Sequence, residues 1–372
     1  MWKEYELGEL LSYEQPTPYI VESTDYNDKY NIPVLTAGKS FLLGYTNEKN
    51  GVYEKLPVII FDDFTTASKY VNFKFKVKSS AMKILTANTE LVLPKFIYYR
   101  MQIIQFDSST HKRYWIQKYS RIKVSIPDLH DQHRIVSKIE ELFSQLDSGV
   151  ETLKKTKEQL KVYRQAVLKE IFEKYNNFCK ISEVCSNIVD CPHSTPKWTS
   201  SGKLCLRTTN FRRGYLDLSE PNYVSDETFE ERIQRLKPCK GDVLYSREGA
   251  ILGIACIIPD NTELCLGQRM MLLRANEEYS PFFIMHWLNS PYVTNYIRTI
   301  TGGSASPHVN VGDIKLQRIP KINLEEQKNA VKEIESRLSV CDSIEKTVDN
   351  ALQQVEGLRQ SILKKAFEGE LL

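Results

Sequence analysis

Arg207, Asn210, Arg212 and Arg213 crowd around Phe211, and Gln268-Arg269 follows a glycine. Arginine, asparagine and glutamine pair two hydrogen bonds at a time with guanine and adenine edges, so this set points to nucleic-acid contact. A second chemistry lies nearer the N-terminus. Between Lys69 and Lys83 stand five lysines and no acid, and Phe73, Phe75 and Val77 alternate with Lys74, Lys76 and Lys78. A strand of that pattern buries its apolar face and turns a row of ammonium groups outward, at a spacing that follows phosphates. The run His111-Lys112-Arg113-Tyr114-Trp115-Ile116-Gln117-Lys118 adds cations, an amide and aromatics. Taken alone, either stretch reads equally well as a solvated face.

Thr301-Gly302-Gly303-Ser304-Ala305-Ser306 could bring backbone N–H groups to a phosphate, or be a flexible loop with no ligand. It lacks the lysine of a P-loop, so nucleotide hydrolysis is not supported. The candidate contact residues are Lys39, Lys69, Lys74, Lys76, Lys78, Lys112, Arg113, Tyr114 and Lys118 in the first part of the chain. In the second they are Arg207, Asn210, Arg212, Arg213, Arg247, Gln268, Arg269, Ser304, His308 and Asn310.

Catalytic motifs are missing. There is no G-x-S-x-G, H-E-x-x-H, Walker A or G-x-G-x-x-G pattern. Asn289-Ser290-Pro291-Tyr292 resembles the N/D-P-P-Y motif of adenine methyltransferases but has Ser290 in place of its first proline, and no glycine-rich cofactor motif accompanies it. It reads as a turn after a helix holding Met285 to Leu288. No active site and no bound cofactor are expected. A zinc site from Cys185, Cys191 and His193 lacks the paired spacing of structural zinc, so the eight cysteines are read as reduced, partly buried thiols and no metal is expected.

The elements that must position these residues are duplicated. Residues 132 to 173 align without a gap on 327 to 368, at a constant offset of 195 positions. Identical pairs include Gln132/Gln327, Asp147/Asp342, Arg164/Arg359, Leu168/Leu363 and Phe172/Phe367. Both copies lack proline and carry a heptad seam. The first runs through Ile135, Ile139, Leu142, Leu146, Leu153, Leu160, Tyr163 and Val167. The second runs through Ala330, Ile334, Cys341, Ile344, Val348, Ala351, Val355, Leu358 and Ile362. Two matched seams can satisfy each other as an antiparallel coiled coil, a spacer of roughly 60 Å with a globule at either end. The alternative is that they dimerise two copies of the chain. Ile126-Pro127-Asp128 and Ile319-Pro320-Lys321 stop a strand, and Asp131, or Glu325 and Glu326, start each helix. Ser120 to Val124 and Gly312 to Leu316 are expected as matching strands.

At 372 residues the chain has room for two globules. Four segments are expected: 1–127, a spacer helix 128–177, 178–320 and a second spacer helix 321–372. Both globules read as short, mostly β segments, with Val58-Ile59-Ile60-Phe61 and Val243-Leu244-Tyr245 as equivalent buried strands. Lys and Arg against Asp and Glu number 17 to 13 and 16 to 15 in the globules, and 9 to 9 and 8 to 10 in the helices. Nucleic acid suits the former and a protein partner the latter. No apolar run is long enough for a membrane span and the first residues lack the core of a signal peptide, so a cytoplasmic protein without membrane contact is expected.

Over essentially its whole length the chain resembles the DNA-specificity (S) subunit of type I restriction-modification systems, the HsdS family. The resemblance rests on the two proline-bounded helical repeats, the ending from Leu358 to Leu371, and the run Lys240-Gly241-Asp242-Val243-Leu244-Tyr245-Ser246-Arg247-Glu248-Gly249. It implies an α+β fold with two target-recognition domains separated by two long antiparallel coiled-coil helices, a pseudo-twofold tandem repeat. Each domain would read one half of a bipartite, asymmetric site on double-stranded DNA. The helices would set the gap and dock two modification (M) subunits, which would carry S-adenosylmethionine, while restriction (R) subunits would use ATP and Mg. The first globule has Pro57 to Asp63 where the second has the Gly-Asp-Val-Leu-Tyr-Ser-Arg run, so it is expected to be a different recognition subtype. Two other readings stay open: a coiled-coil scaffold or other DNA-binding protein outside restriction-modification, and a self-sufficient enzyme.

Overall fold

The computed structural model describes residues 2–38, 40–107, 113–249, 251–260, 262–302 and 307–371. It divides into two compact units, Met1–Leu153 with Asn350–Leu372, and Lys154–Asp349. Each is an α+β body.

In the first unit, strands β1 (Lys3–Glu6), β2 (Leu11–Glu14), β3 (Val58–Asp62), β4 (Ser68–Val71), β5 (Met82–Ala87) and β6 (Lys123–Ile126) form two antiparallel sheets. One has the order β2-β5-β3-β4, the other pairs β1 with β6. The apolar run of β3 follows from burial on both faces. Ile59 and Phe61 pack with helix α1 (Pro94–Met101), while Val58 and Ile60 face Leu35, Phe75 and Val77 on the other side.

The second unit repeats this plan. Strands β7 (Phe178–Lys180), β8 (Cys185–Asp190), β9 (Val243–Ser246), β10 (Ala255–Ile257), β11 (Met270–Ala275) and β12 (Arg318–Pro320) give the order β8-β11-β9-β10 and the pair β7 with β12. Val243 and Tyr245 point into one core cluster and Leu244 into another. Helices α2 (Asp226–Ile233), α3 (Pro281–Leu288), α4 (Pro291–Thr301) and α5 (Val311–Leu316) join it, with a second four-stranded sheet in the order Trp198–Thr199, Tyr223–Val224, Lys203–Leu206, Leu264–Leu266.

Two long helices, Leu129–Glu173 and Leu324–Glu368, each contribute one part to either unit. Their N-termini are built alike. Asp128 Oδ1 accepts from Asp131 N (2.9 Å) and Asn323 Oδ1 from Glu326 N (2.9 Å), satisfying a first-turn donor in each. Within the second unit the helices run antiparallel, with Lys157 against Asp349, Arg164 against Asp342 and Glu345, and Glu170 against Arg337. In the first unit Asp147 pairs with Arg359.

Three expectations need correction. Gly312–Leu316 is no strand: Asp313 Oδ2 accepts from Asn310 N (3.3 Å) and starts α5, so the strand is Arg318–Pro320. It lies 195 positions beyond Lys123–Ile126, in keeping with the duplication, and a 3-10 turn (Tyr119–Arg121) replaces the start of the expected strand from Ser120. The heptad seam is not closed throughout, because Tyr163, Ile344 and Leu358 stay exposed. The Lys69–Lys83 stretch is broken into short strands around a turn, and its lysines have different fates.

Candidate nucleic-acid interface

In the first unit the expected ammonium row fails at Lys76, which is buried. Its Nζ sits 2.8 Å from Glu48 Oε2 and donates to Asn50 O at 2.7 Å. Partial burial opposes ionisation of Glu48, but the Lys76 ammonium and the Ser23 and Glu22 N–H groups outweigh it and hold the carboxyl below its ordinary range. The apolar row fails as well. Phe75 and Val77 are buried, whereas Phe73 is exposed. Lys74 is exposed but paired with Glu54 at 2.7 Å. Lys69 and Lys78 carry no ion pair among the described residues.

Tyr114 is also corrected. It is buried, and its ring packs edge-on against Phe106 at 5.0 Å. Asp63 sets this segment in place: its carbonyl accepts from Tyr114 N (2.9 Å) and its Oδ1 from Trp115 N (2.8 Å). The buried Lys83 ammonium stands 3.3 Å from Asp63 Oδ2. The result is that Arg113 and Lys118 are left on the surface while the aromatic residues between them join the core. Lys39 and Lys112 lie outside the described residues.

In the second unit four loop segments meet at Arg247. Its guanidinium grips Asp190 with two bonds, Nε to Oδ1 at 2.8 Å and Nη2 to Oδ2 at 3.0 Å. Its backbone N donates to Arg269 O, and its carbonyl accepts from Val309 N. Arg247 is buried, so it positions loops and does not itself present donors to a ligand. Arg232, on α2, does the same from below, donating to Leu266 O (2.9 Å), Gly267 O (3.2 Å) and Ser194 O. Around this hub the outward groups are Arg269, His193 and His308, with Gln268 half-exposed and donating to His193 O. Arg269 holds a left-handed backbone conformation (φ 67°), which places an exposed guanidinium beside Glu248, 3.9 Å away.

The cluster at Phe211 divides. Asn210 is buried and acts as a turn clamp: Oδ1 accepts from Arg207 N (2.8 Å) and Nδ2 donates to Asp217 O (3.0 Å). Arg212 is tied to Asp217 at 2.8 Å. Arg207 lies 5.3 Å over the exposed Trp198 ring. Arg213 reaches Asn289 instead, donating to its carbonyl at 3.3 Å. Asn310 starts α5 and keeps an exposed side chain. Ser304 and its glycine-rich neighbours lie outside the described residues. Asp190, Trp198 and Arg232 have no local signal in the sequence, and His193 shows there only as a zinc-ligand candidate, since the roles of Asp190 and Arg232 depend on partners far along the chain.

Burial pushes the Cys185 thiol up to about 12, so it stands as a neutral thiol. Among the described residues no helix is long and apolar enough to cross a membrane.

Two copies of one α+β scaffold, each presenting its own set of polar loop residues, define a tandem recognition protein. The family model for the type I restriction modification DNA specificity domain matches residues 1–162 and 168–354, and the chain belongs to that family as a type I specificity subunit. The specificity subunit of type I restriction enzyme EcoR124I/EcoR124II from Escherichia coli is 32% identical over 354 residues, covering 91% of this chain and 87% of that one. The EcoKI specificity subunit of Escherichia coli (strain K12) is 28% identical over 273 residues, covering 68% and 58%. Among solved structures, a chain from work on assembly and conformational transition of the type I R-M system superimposes with a TM-score of 0.70 at 17% identity, covering 99% of this chain and 98% of that one. The HsdS subunit from Thermoanaerobacter tengcongensis does so with a TM-score of 0.56 at 17% identity, covering 99% and 97%. The two structural likenesses bear on the fold alone.

Proposed function

We propose that each unit reads one half of a bipartite, asymmetric site on double-stranded DNA, and that the long helices set the gap between the halves. The observation that carries this reading is one sheet order built twice, with unlike loops on it. An identical pair of readers would select a palindrome, whereas diverged loops select two different half-sites. In the first unit Lys69, Lys78, Arg113 and Lys118 hold phosphates. In the second, Arg269, Gln268 and Arg207 face base edges from loops fixed by Arg247, Arg232 and Asn210.

The chain supplies the address and not the chemistry. Two methyltransferase subunits dock on the helical pair and bring S-adenosylmethionine, and restriction subunits bring ATP and Mg. Such a complex works in the cytoplasm. Mapping methylated adenines in cells with and without the gene tests this. A two-part motif with unlike halves and a fixed gap should vanish on deletion; a palindromic motif, or an unchanged methylome, overturns the reading.

A further inference from the structure

A cavity of about 530 Å³ in the second unit lies away from the loop hub around Arg247. One wall is a single face of α4, carrying Pro291, Thr294, Asn295 and Arg298 at helical spacing. Opposite are Arg213, in the turn after Phe211-Arg212, and His286 on α3.

Three side chains of this lining are not fully used. Arg213 and Arg298 have no carboxylate partner among the described residues, and Arg213 donates only to the carbonyl and side-chain oxygens of Asn289, at 3.3 and 3.4 Å. Surrounding protein first, and the Arg298 charge second, lower the Arg213 pKa, so the pair is two like charges held together without an anion. His286 is about as buried as a core residue, yet its Nε2 makes no hydrogen bond, and Glu335 Oε1 stands 3.8 Å off, beyond hydrogen-bond reach. A third arginine on the lining, Arg164, is already committed to Asp342 and Glu345. The first turn of α4 adds the positive end of a helix dipole to the same space.

We infer that this cavity is a binding site for a phosphate-bearing anion, held by Arg213 and Arg298 with His286 Nε2 as a further contact. Two sources supply that chemistry, a phosphate of the DNA backbone and a free phosphorylated small molecule. A free ligand would bind whether or not the DNA reading above holds.

The probe is inorganic pyrophosphate, titrated calorimetrically into the full-length chain. Wild-type protein should bind it, and Arg298→Ala or Arg213→Ala should weaken binding by at least about tenfold, with Arg298→Lys intermediate because a lysine keeps the charge and loses the fork. Arg298 is exposed, so its replacement leaves the fold intact. A short duplex of unrelated sequence separates the sources. If pyrophosphate competes with it and Arg298→Ala lowers the salt slope of its binding by about one, the anion is a DNA phosphate. If duplex binding is untouched while pyrophosphate binding is lost, it is a free ligand. Absence of pyrophosphate binding at several millimolar with an unchanged salt slope overturns the inference, as does binding that survives in both alanine variants.

Discussion

Gln132 and Gln327, 195 positions apart, are both wholly buried and make the same three hydrogen bonds in their separate units. Gln132 Nε2 donates to Leu91 O and Pro127 O, and its Oε1 accepts from Leu93 N. Gln327 Nε2 donates to Glu278 O and Ile322 O, and its Oε1 accepts from Ser280 N. In each unit the amide fastens the start of a long helix to the start of α1 or α3, so it aligns the recognition body on its helix. The two chain reversals before those helices would otherwise leave buried backbone groups unpaired.

Replacing either glutamine by leucine strands one N–H and two carbonyls in the interior. Gln132→Leu and Gln327→Leu should each destabilise by on the order of 3 kcal/mol, the sum of a few unmet backbone groups partly relieved by water. Denaturant unfolding of both variants checks this, and a loss under about 1 kcal/mol in both would mean the backbone groups find other partners.

Neighbouring lysines should behave in opposite ways. Lys78→Ala with Lys118→Ala should lower affinity for all duplexes alike and reduce the salt slope by about two, with stability unchanged. Lys76→Ala should cost about 1–2 kcal/mol of stability by removing the cation beside the partly buried Glu48, with the slope unchanged in the fraction that remains folded. Titrations across a range of salt concentrations, alongside unfolding curves, separate the two effects.

Arg269 and Arg247 form a second contrast. Arg269→Ala should keep the fold and cost about 1–3 kcal/mol of discrimination between the cognate duplex and a one-base variant. Arg247→Ala should loosen four loop segments together and lower both melting temperature and affinity. Arg247→Lys should rescue it poorly, because an ammonium cannot reproduce the two-bond grip on Asp190. Discrimination that survives Arg269→Ala would remove that side chain from the base-reading set.

Acid should act through Glu48. Its folded carboxyl pKa is depressed, so the stability it contributes is present above the unfolded carboxylate range and is lost as pH falls through the lower folded value. Glu48→Gln should therefore be less stable than wild type at neutral pH. The gap should narrow as the solution is acidified below the ordinary glutamate range. A gap independent of pH in unfolding experiments from neutral to strongly acid would show that charge at Glu48 does not matter.

The sequence by itself determined the tandem plan. The 195-position offset recurs in the ion pairs: Arg164 with Asp342 in one unit corresponds residue for residue to Arg359 with Asp147 in the other. Duplication leaves that mark directly, and the buried strands at Val58 and Val243 show as local apolar runs because both their faces are covered. What only the tertiary structure decided is which polar side chains remain available. Lys76 and Arg247 carry the same chemistry as Lys78 and Arg269, and Tyr114 and Asn210 stand within two residues of the exposed Arg113 and Arg212, yet nothing in local spacing tells the buried from the exposed. A charge is spent or free according to whether a distant loop brings a carboxylate within hydrogen-bond reach, as Glu48 does for Lys76 and Asp190 for Arg247. Such contacts are set by chain reversals between strands, and a one-dimensional pattern of residue types does not encode them.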